Sequence, residues 1–386
     1  MNKNKEKVPK IRFPGFTEPW EQRKLGEVVD VRSGRDYKHL SEGCVPVYGT
    51  GGYMLSVNEA LSYDKDAIGI GRKGTIDKPY VLKAPFWTVD TLFYAIPKDQ
   101  YNLDFVFNIF QLINWKMKDE STGVPSLSKT AINDVDIFIP KSLEQEKIGA
   151  YFHKIDNLIT LHQRKLNHLK DKKKGLLQKM FPKKGELVPE LRFPEFTDTW
   201  EQRKVGEWGT FYYGHSCPKW SVTEDATTPC IRYGELYTKF GAKIDKVFSY
   251  TNMPTDKLRF SKGTEVLIPR VGEDPMDYNH CTWLSIPGVA IGEMISVYNT
   301  EQNPLFTATM FNATLQKEFA SRVEGGSVTN LYFEKLKNID VWFPSLVEQE
   351  KIAAYFEQFD NLITLHQRKL DHLKEQKKAL LQQMFI

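Results

Sequence analysis

The chain has 386 residues, of which 41% are hydrophobic and 26% are charged, and its formal net charge is +4. This composition is typical of a globular protein with two or three domains. It contains no run of 18 apolar residues, so a membrane-spanning helix is not expected. The small positive charge is compatible with a polyanionic partner without establishing one.

The four cysteines are scattered along the chain and form no CxxC pair, so the sequence predicts neither a zinc site nor a disulfide framework. The N-terminal segment, residues 1–10, is polar and lacks the apolar stretch of a signal peptide. Both features fit a reducing compartment. We therefore expect a cytoplasmic protein that does not associate with a membrane.

The first predicted element is an entry segment that occurs twice. Residues 11–27 and residues 191–207 are identical at 12 of 17 positions. The stretches that follow, residues 28–143 and residues 208–347, do not visibly match each other. The sequence therefore predicts two similar frames that hold two different inserts, an arrangement suited to the recognition of two unlike targets.

Each insert is rich in predicted strands and contains a helix before its last strand. In the first insert, β-rich runs cover residues 45–48, 67–70 and 81–96, a helix covers 102–119, and an alternating strand covers 135–140. In the second insert, the β-rich runs cover 230–237, 265–269 and 289–298, a helix lies near 305–322, and the last strand covers 339–344. Both inserts thus end in the same order of elements and lead into a long helix.

Several loops of the inserts combine Gly with Arg, Lys and aromatic residues. Arg and Lys neutralise phosphates, Gly lets backbone N–H groups approach, and Arg can make a two-pronged contact with a guanine edge. Ordinary β-turns of similar composition are the alternative interpretation. The candidate DNA-binding residues are Tyr48, Thr50, Arg72, Lys73 and Lys78 in the first insert and Arg232, Tyr233, Lys239 and Arg270 in the second.

Each frame ends in a long amphipathic segment. Residues 144–181 and 348–385 are identical at 29 of 38 positions, and apolar residues recur at 4-3-4-3 spacing in both. A heptad pattern of this length predicts a coiled coil, although two separate helices, each packed on its own domain, are the alternative. The predicted seam contains Ile148, Phe152, Ile159, His162, Leu166 and Leu169 in the first helix and Ile352, Phe356, Ile363, His366, Leu370 and Leu373 in the second. Capping boxes are predicted for Ser142 with Gln145 and for Ser345 with Glu348.

The seam also contains one lysine in each helix, Lys173 and Lys377. A parallel pair would place these two charges together inside the seam, which is unfavourable. An antiparallel pair places Lys173 near Phe359 and Lys377 near Ile155, where each lysine stem covers apolar surface. We therefore predict that the two helices pair in antiparallel orientation.

The sequence contains no recognisable catalytic constellation. Residues 69–74 match GxGxxG, but Asp77 and Pro79 follow where a dinucleotide site needs a helix. There is no GxxxxGK[ST] phosphate loop, no HExxH motif and no methyltransferase signature. His162 and His366 are interpreted as polar seam residues, because nothing near them in the sequence supplies a set of metal ligands. We expect a non-catalytic chain with no cofactor or metal of its own.

The repeated segments resemble those of the specificity subunits of type I restriction–modification systems. The resemblance rests on FPxFTxxWEQRKxGE at 13–27 and 193–207 and on IP…EQEKIxAYF…DNLITLHQRKLxHLK at 139–170 and 343–374. It implies that each insert is a target recognition domain that reads one half of a bipartite site on double-stranded DNA. It also implies that the paired helices set the spacing and bind two methylation subunits, to which restriction subunits add. Those partners would supply the S-adenosylmethionine, ATP and magnesium chemistry.

The predicted architecture is α+β, with two β-rich target recognition domains, each followed by a long helix, and with the helices paired as an antiparallel coiled coil of pseudo-two-fold symmetry. The four predicted segments are residues 1–143, 144–181, 182–347 and 348–386. The second insert is 24 residues longer than the first, so residue-by-residue equivalence between the inserts is not expected. Two other functions are left open: a two-headed DNA-binding regulator that works without enzyme partners, and a coiled-coil adaptor whose inserts bind proteins.

Overall fold

A computed structural model describes residues 8–183, 185–215 and 217–386. The chain forms two compact units. The first unit contains the described residues up to Arg164 together with Gln367–Ile386, and the second unit contains Lys165–His366. Two long helices, α4 (Ser142–Lys179) and α10 (Leu346–Met384), each contribute residues to both units.

In the first unit, strands alternate with short helices before α4. The strands are β1 Glu21–Lys24, β2 Val29–Ser33, β3 Glu42–Gly49, β4 Gly52–Val57, β5 Ala67–Gly71, β6 Tyr80–Leu82, β7 Trp87–Thr88, β8 Leu92–Pro97 and β9 Asp136–Ile139. The helices before α4 are α1 Leu25–Val28, α2 Leu103–Leu112 and α3 Lys129–Asn133.

In the second unit, the strands before α10 are β10 Glu201–Lys204, β11 Gly209–Tyr213, β12 Thr228–Ile231, β13 Lys243–Ile244, β14 Ser249–Thr251, β15 Phe260–Lys262, β16 Glu265–Pro269, β17 Val271–Gly272, β18 Thr282–Leu284, β19 Pro287–Ile291, β20 Ile295–Thr300, β21 Glu324–Gly325, β22 Thr329–Asn330 and β23 Asp340–Phe343. The helices before α10 are α5 Val205–Trp208, α6 Tyr233–Thr238, α7 Pro304–Thr314, α8 Gln316–Ala320 and α9 Phe333–Leu336.

The two inserts share a central sheet although their sequences do not match. In the first unit this sheet has the order β2-β8-β5-β6, and in the second unit the order is β11-β20-β16-β18-β13. The three neighbour pairs among the first four strands are antiparallel in both sheets. The β4-β3-β7 sheet is added in the first unit, and the sheets β14-β12-β19-β15 and β17-β22-β21 are added in the second. The α+β prediction is confirmed.

Most predicted strands are confirmed, and three predicted runs are interrupted. The run 81–96 divides into three strands, and the run 289–298 divides into β19 and β20. The run 230–237 is a strand only up to Ile231, because the Glu235 carboxylate then accepts the Arg232 N–H at 3.0 Å and starts helix α6. Both predicted insert helices also end early, at Leu112 in α2 and at Thr314 in α7.

The repeated entry and exit segments form the same frame in each unit. The EQRK sequence is a strand in both copies, with β1 antiparallel to β9 and β10 antiparallel to β23. Arg12 donates two hydrogen bonds of 2.7 Å to Glu144, and Arg192 donates two of 2.8 Å to Glu348. Both glutamates are buried, so each arginine balances a carboxylate that water does not reach. These pairs join the start of each frame to the start of its long helix.

The predicted capping boxes are wrong, because neither the Gln145 side chain nor the Glu348 side chain caps the start of its helix. Gln145 accepts the N–H of Asn102 at 3.1 Å and donates to Pro140 O at 2.8 Å, so it joins the helix start to helix α2. Ser142 Oγ contacts Glu146 instead, at 3.3 Å. In the second copy, Glu348 donates its N–H to Ser345 Oγ at 3.4 Å, but its carboxylate is bound by the arginine of the frame.

A phenylalanine at the end of a long helix completes the core of each unit. In the first unit, Phe385 stacks on Phe105 at 5.3 Å between ring centroids and meets Trp20 edge-on at 5.9 Å. In the second unit, Phe181 meets Trp200 edge-on at 6.1 Å and lies 5.6 Å from Phe306. Both phenylalanines are buried. The core of the second unit therefore includes the end of the KMF sequence at 179–181, and the core of the first unit includes the end of the QMF sequence at 383–385.

The antiparallel pairing of the long helices is confirmed within each unit. In the first unit, Lys377 of α10 donates to both oxygens of Asp156 of α4, at 2.6 and 2.8 Å. In the second unit, Lys173 of α4 donates to Asp360 of α10 at 2.5 Å. The start of one helix therefore packs on the end of the other in both units, which excludes two separate helices. The predicted neighbours, Phe359 for Lys173 and Ile155 for Lys377, each directly precede the aspartate that the lysine binds.

The structure places all twelve seam residues on the inner sides of the helices. The buried side chains are Ile148, Phe152, Leu166, Ile352, Phe356 and Leu370. The half-buried side chains are Ile159, His162, Leu169, Ile363, His366 and Leu373. None of the twelve predicted seam residues is exposed.

Replacing Phe385 by Ala should lower the free energy of unfolding of the first unit by about 3–5 kcal/mol, because a buried aromatic ring is removed and a cavity is left. Denaturant unfolding followed by tryptophan fluorescence measures this effect, since Trp20 lies against the ring. The neighbouring Ile386 is 45% exposed, and its replacement by Ala is the matched control, with an expected change below about 0.5 kcal/mol. Equal effects of the two substitutions would contradict the role of Phe385 in the core.

Candidate nucleic-acid interface

Two of the predicted DNA-binding arginines occupy equivalent positions in the two units. Arg72 follows β5 directly, and Arg270 follows β16, the corresponding strand of the second sheet. The carbonyl of Arg72 accepts the Leu127 N–H at 2.9 Å, and the carbonyl of Arg270 accepts the Leu331 N–H at 2.8 Å. In both units, the accepting arginine is thus held beside the loop that leads into the next short helix, α3 or α9. This equivalence was not expected from the unequal lengths of the inserts.

A glycine lies at the same place near each arginine because two strands approach closely there. A Cβ atom added to Gly34 would lie 2.0 Å from the Val89 carbonyl oxygen, and one added to Gly214 would lie 2.0 Å from the Gly292 carbonyl oxygen. No side chain larger than hydrogen fits at such a distance without backbone movement. The two glycines therefore fix the same strand geometry under both candidate sites.

In the first unit, the arginine borders an open, basic cleft. The exposed Arg72 guanidinium lies 5.7 Å from the Phe93 ring centroid, and its Nη1 donates a long hydrogen bond of 3.4 Å to Asp90 O. The cleft has a volume of about 510 Å³ and is lined by Ser33, Arg72, Lys73, Phe93, Glu120, Ser126, Leu127, Ser128 and Lys129. The structure thus brings the predicted pair Arg72 and Lys73 together with a third cation, Lys129.

In the second unit, the equivalent arginine lies between two aromatic rings. The Arg270 guanidinium is 4.5 Å from the Tyr213 ring centroid and 5.3 Å from that of Tyr332. Its Nε is buried and has no hydrogen-bond partner within the described residues. Tyr213 is held in turn by a 3.0 Å hydrogen bond to Glu334 and by the Phe333 ring at 4.4 Å. Burial, together with the Glu334 carboxylate, raises the pKa of Tyr213 to about 12.

The other predicted residues of the first unit lie on different loops. Tyr48 is half-buried on β3, with its ring centroid 6.1 Å from that of Tyr80, so it contributes to the core as well as to the surface. Thr50 lies in the turn between β3 and β4, and Lys78 is exposed in the loop before β6. Their contact with DNA stays a prediction.

The predicted residues near helix α6 form a second group in the second unit. Arg232 immediately precedes the helix, and Tyr233 is 37% exposed at its first residue. Lys239 donates to the Glu235 carboxylate at 3.1 Å and lies 5.4 Å from the Phe248 ring centroid. The charge of Lys239 is therefore partly neutralised within the unit, which weakens its candidacy as a phosphate contact.

Sequence reasoning missed the residues that surround the two arginines. Neither the serines Ser126 and Ser128 nor the tyrosines Tyr213 and Tyr332 are among the candidates predicted from the sequence. A signal was present in the first case, since the sequence SLSK follows Gly123 and Pro125. The tyrosine pair had no comparable signal, because its members are 119 positions apart in the chain.

Within the described ranges, no group of three or more His, Cys, Asp or Glu side chains could hold a metal ion. No helix in the part of the chain that the structure covers is long and apolar enough to cross a membrane. The four cysteines are free thiols.

The duplicated frame places an arginine at the same edge of each central sheet, so the chain has two candidate sites of related geometry. A family model described as the type I restriction modification DNA specificity domain matches residues 17–171 and 286–375, which is well over half of the chain. The chain belongs to this family.

Similar proteins include two from Methanocaldococcus jannaschii. The type I restriction enzyme MjaVIII specificity subunit is 22% identical over 281 residues, and the protein assigned as the MjaX specificity subunit is 24% identical over 280. These matches cover 69% and 71% of this chain but only 65% and 63% of the respective relatives, so the chain spans less than two thirds of their lengths.

Two solved structures have a similar fold over nearly the whole chain. The crystal structure of a type I restriction–modification S subunit from M. genitalium gives a TM-score of 0.71 at 15% identity, and it covers 98% of this chain and 99% of that one. A chain from a study of complex assembly and conformational transition of the type I system gives a TM-score of 0.50 at 17% identity, with 97% and 98% covered. At these identities the likeness concerns the fold.

Replacing Gly34 by Ala should destabilise the first unit by about 1–3 kcal/mol, because the new methyl group would overlap the Val89 carbonyl. Thermal unfolding of the purified chain measures the loss. Gly51 is the matched control, since a Cβ added there meets no atom within 4 Å, and its replacement by Ala should be nearly neutral. An unchanged melting temperature for Gly34→Ala would show that the strands do not need this close approach.

Proposed function

We propose that this chain is the specificity subunit of a type I restriction–modification complex and that each unit reads one half of a bipartite, asymmetric site on double-stranded DNA. The observation that carries the proposal is the equivalent placement of Arg72 and Arg270 on two repeated frames with unlike surroundings. Equivalent placement suits two half-sites on one duplex, and unlike surroundings suit two different half-site sequences. The family membership of the chain supports the same function.

The charges of the two candidate sites support DNA as the ligand. The first cleft has three cationic side chains and one acidic side chain, Glu120, on its lining. Arg270 of the second unit makes no side-chain ion pair within the described residues. Cations that are not neutralised internally are available to phosphates and to acceptor groups on base edges.

The long helices support a proposal about partners. Residues 156–166 and 360–370 are identical in sequence. Each stretch exposes two leucines: Leu158 and Leu161 are each 45% exposed, and Leu362 and Leu365 are 44% and 46% exposed. Two identical stretches with the same exposed apolar residues fit two copies of one partner, which we propose to be a methylation subunit.

The remaining parts of the proposal concern the complex. Restriction subunits would add to the methylation subunits. The partners would bind S-adenosylmethionine, ATP and magnesium, while this chain would determine which DNA sequence the complex recognises. The helices would set the number of unread base pairs between the half-sites. Assembly in the cytoplasm is also proposed, because the chain carries four free thiols.

Two observations separate this proposal from its alternatives. A regulator that works without enzyme partners would purify without a methylation subunit, whereas the proposed chain would retain two. An adaptor whose inserts bind proteins would show no loss of DNA affinity as salt is raised, whereas phosphate contacts make the affinity fall steeply.

Mapping of methylated bases in DNA from cells that carry this chain and its partners should return two different short sequences separated by a fixed number of unread positions. Replacing residues 28–143 by the corresponding insert of another family member should change one of these sequences and leave the other intact. The unchanged half-site is the internal control for folding and assembly. A continuous or palindromic target, or a change in both halves after the exchange, would contradict independent reading by the two units.

Replacing Leu158 and Leu161 by Glu should reduce the number of bound methylation subunits from two to one, because charges would enter an apolar contact. The same change at Leu362 and Leu365 should have the same effect, and the fourfold variant should bind none. Native mass spectrometry of the co-expressed complex counts the subunits. Leu112 of helix α2 is 38% exposed and outside the repeat, so its replacement by Glu is the control. Two subunits retained by the fourfold variant would exclude this surface.

A further inference from the structure

We propose that the two equivalent arginines perform different tasks in DNA recognition: Arg270 reads a guanine edge, whereas Arg72 holds a backbone phosphate. This inference rests on the proposed function, since both tasks require that the units bind DNA. It goes further by assigning a role to each arginine from its surroundings. The contrast arises from two positions at which the units differ in side-chain size.

The first position immediately precedes the glycine that fixes the strand geometry. It is Ser33 in the first unit and Tyr213 in the second, each being the last residue of its strand. The second position follows the leucine that binds the arginine carbonyl, and it is Ser128 in the first unit and Tyr332 in the second. Small hydroxyl residues therefore leave an open cleft in one unit, while two aromatic rings fill the equivalent space in the other.

Two aromatic rings border the Arg270 guanidinium. Its central carbon lies 4.5 Å from the Tyr213 ring centroid and 5.3 Å from that of Tyr332. Tyr213 is itself held by the tilted Phe333 ring at 4.4 Å and by its hydrogen bond to Glu334. An arginine bordered by two rings has less room to move than an exposed one, so less conformational entropy is lost when it binds a ligand.

The burial beside these rings limits how a ligand can approach Arg270. The Arg270 Nε is buried, so only the two terminal nitrogens can meet a ligand. No hydrogen bond from these nitrogens is made within the described residues. Two N–H groups on terminal nitrogens of restricted mobility match the O6 and N7 acceptors of guanine in the major groove. A phosphate also accepts the arginine fork, but its tetrahedral oxygens can be approached from many directions, so a phosphate contact does not require a restricted guanidinium.

Arg72 has the opposite surroundings. It lies over a single ring, its one side-chain hydrogen bond is 3.4 Å long, and the side chain is exposed. Lys73 and Lys129 add two more charges, and the serine hydroxyls of the cleft add donors. Three cations and several hydroxyl donors around an open space suit a phosphate, which accepts hydrogen bonds from many directions.

Substitution by Lys separates the two tasks, because Lys keeps the charge and removes the planar fork. The test uses the complete subunit assembled with its partners and measures binding to the methylation-mapped site and to all of its single-base variants. Arg270→Lys should weaken binding to the mapped site roughly tenfold to a hundredfold and abolish the preference at one G·C pair in one half-site. Arg72→Lys should change affinity by less than about threefold and leave every base preference unchanged.

Two further variants distinguish a loss of recognition from a loss of folding. Tyr332→Ser introduces the residue type of the first unit, and it should relax the preference at the same G·C pair although Arg270 remains. Arg72→Ala should weaken binding to all sequences alike and reduce the slope of log affinity against log salt by about one. In every variant, the half-site read by the other unit serves as the control, because its base preferences should not change.

The possible results are distinct. Retention of all base preferences by Arg270→Lys would overturn the assignment of Arg270 as a base reader. Loss of a base preference in Arg72→Lys would overturn the assignment of Arg72 as a phosphate contact. An unaltered complex that binds every sequence equally would overturn the proposed function and this inference with it.

Discussion

The insertion of a helix-terminal phenylalanine into each core is the constraint on which the rest of the structure depends. Phe385 lies against Trp20 and Phe105, so the last part of α10 belongs to the first unit and not to the insert that precedes it in the chain. Phe181 plays the same part in the second unit. Each core therefore joins an entry segment, the start of one helix and the end of the other to the central sheet and a helix of the insert. The frame contributes the same parts to both cores, although the inserts differ in length and in sequence.

Much of this frame could be predicted from the repeats. The heptad pattern gave the helices, and the unfavourable approach of Lys173 to Lys377 gave their orientation, because a like-charge contact inside a seam is a strong constraint. The acidic partners were missed although each lies next to the predicted apolar neighbour of its lysine. A heptad pattern places side chains on a helix face, but it does not say which of two adjacent residues a long lysine reaches. The four predicted segments also follow sequence order, whereas packing groups the ends of the chain together.

The candidate site was only partly accessible from the sequence. The composition of the loops indicated Arg72 and Arg270, because Arg within two residues of Gly is a chemical pattern that needs no knowledge of the fold. Their equivalence depends on strand order, and inserts without sequence similarity carry no signal for it. The walls around Arg270 come from a strand and from a loop far along the chain, so only the folded sheet brings them together. The sequence could thus indicate candidate cations, whereas the surroundings that distinguish them are visible only in the folded structure.

The paired contacts of Lys377 with Asp156 and of Lys173 with Asp360 restrict how this architecture can change during evolution. A deletion in one helix alone would slide its seam past the other and leave a lysine and an aspartate without partners in a poorly hydrated place. Equal changes in both helices preserve the two ion pairs and the apolar stripe when they come in whole heptads. Helix length in descendants of such a protein should therefore vary in matched steps. Each insert also contacts a long helix, through Gln111 with Lys377 and through Lys243 with Glu357, so an exchanged insert must supply a replacement for that contact.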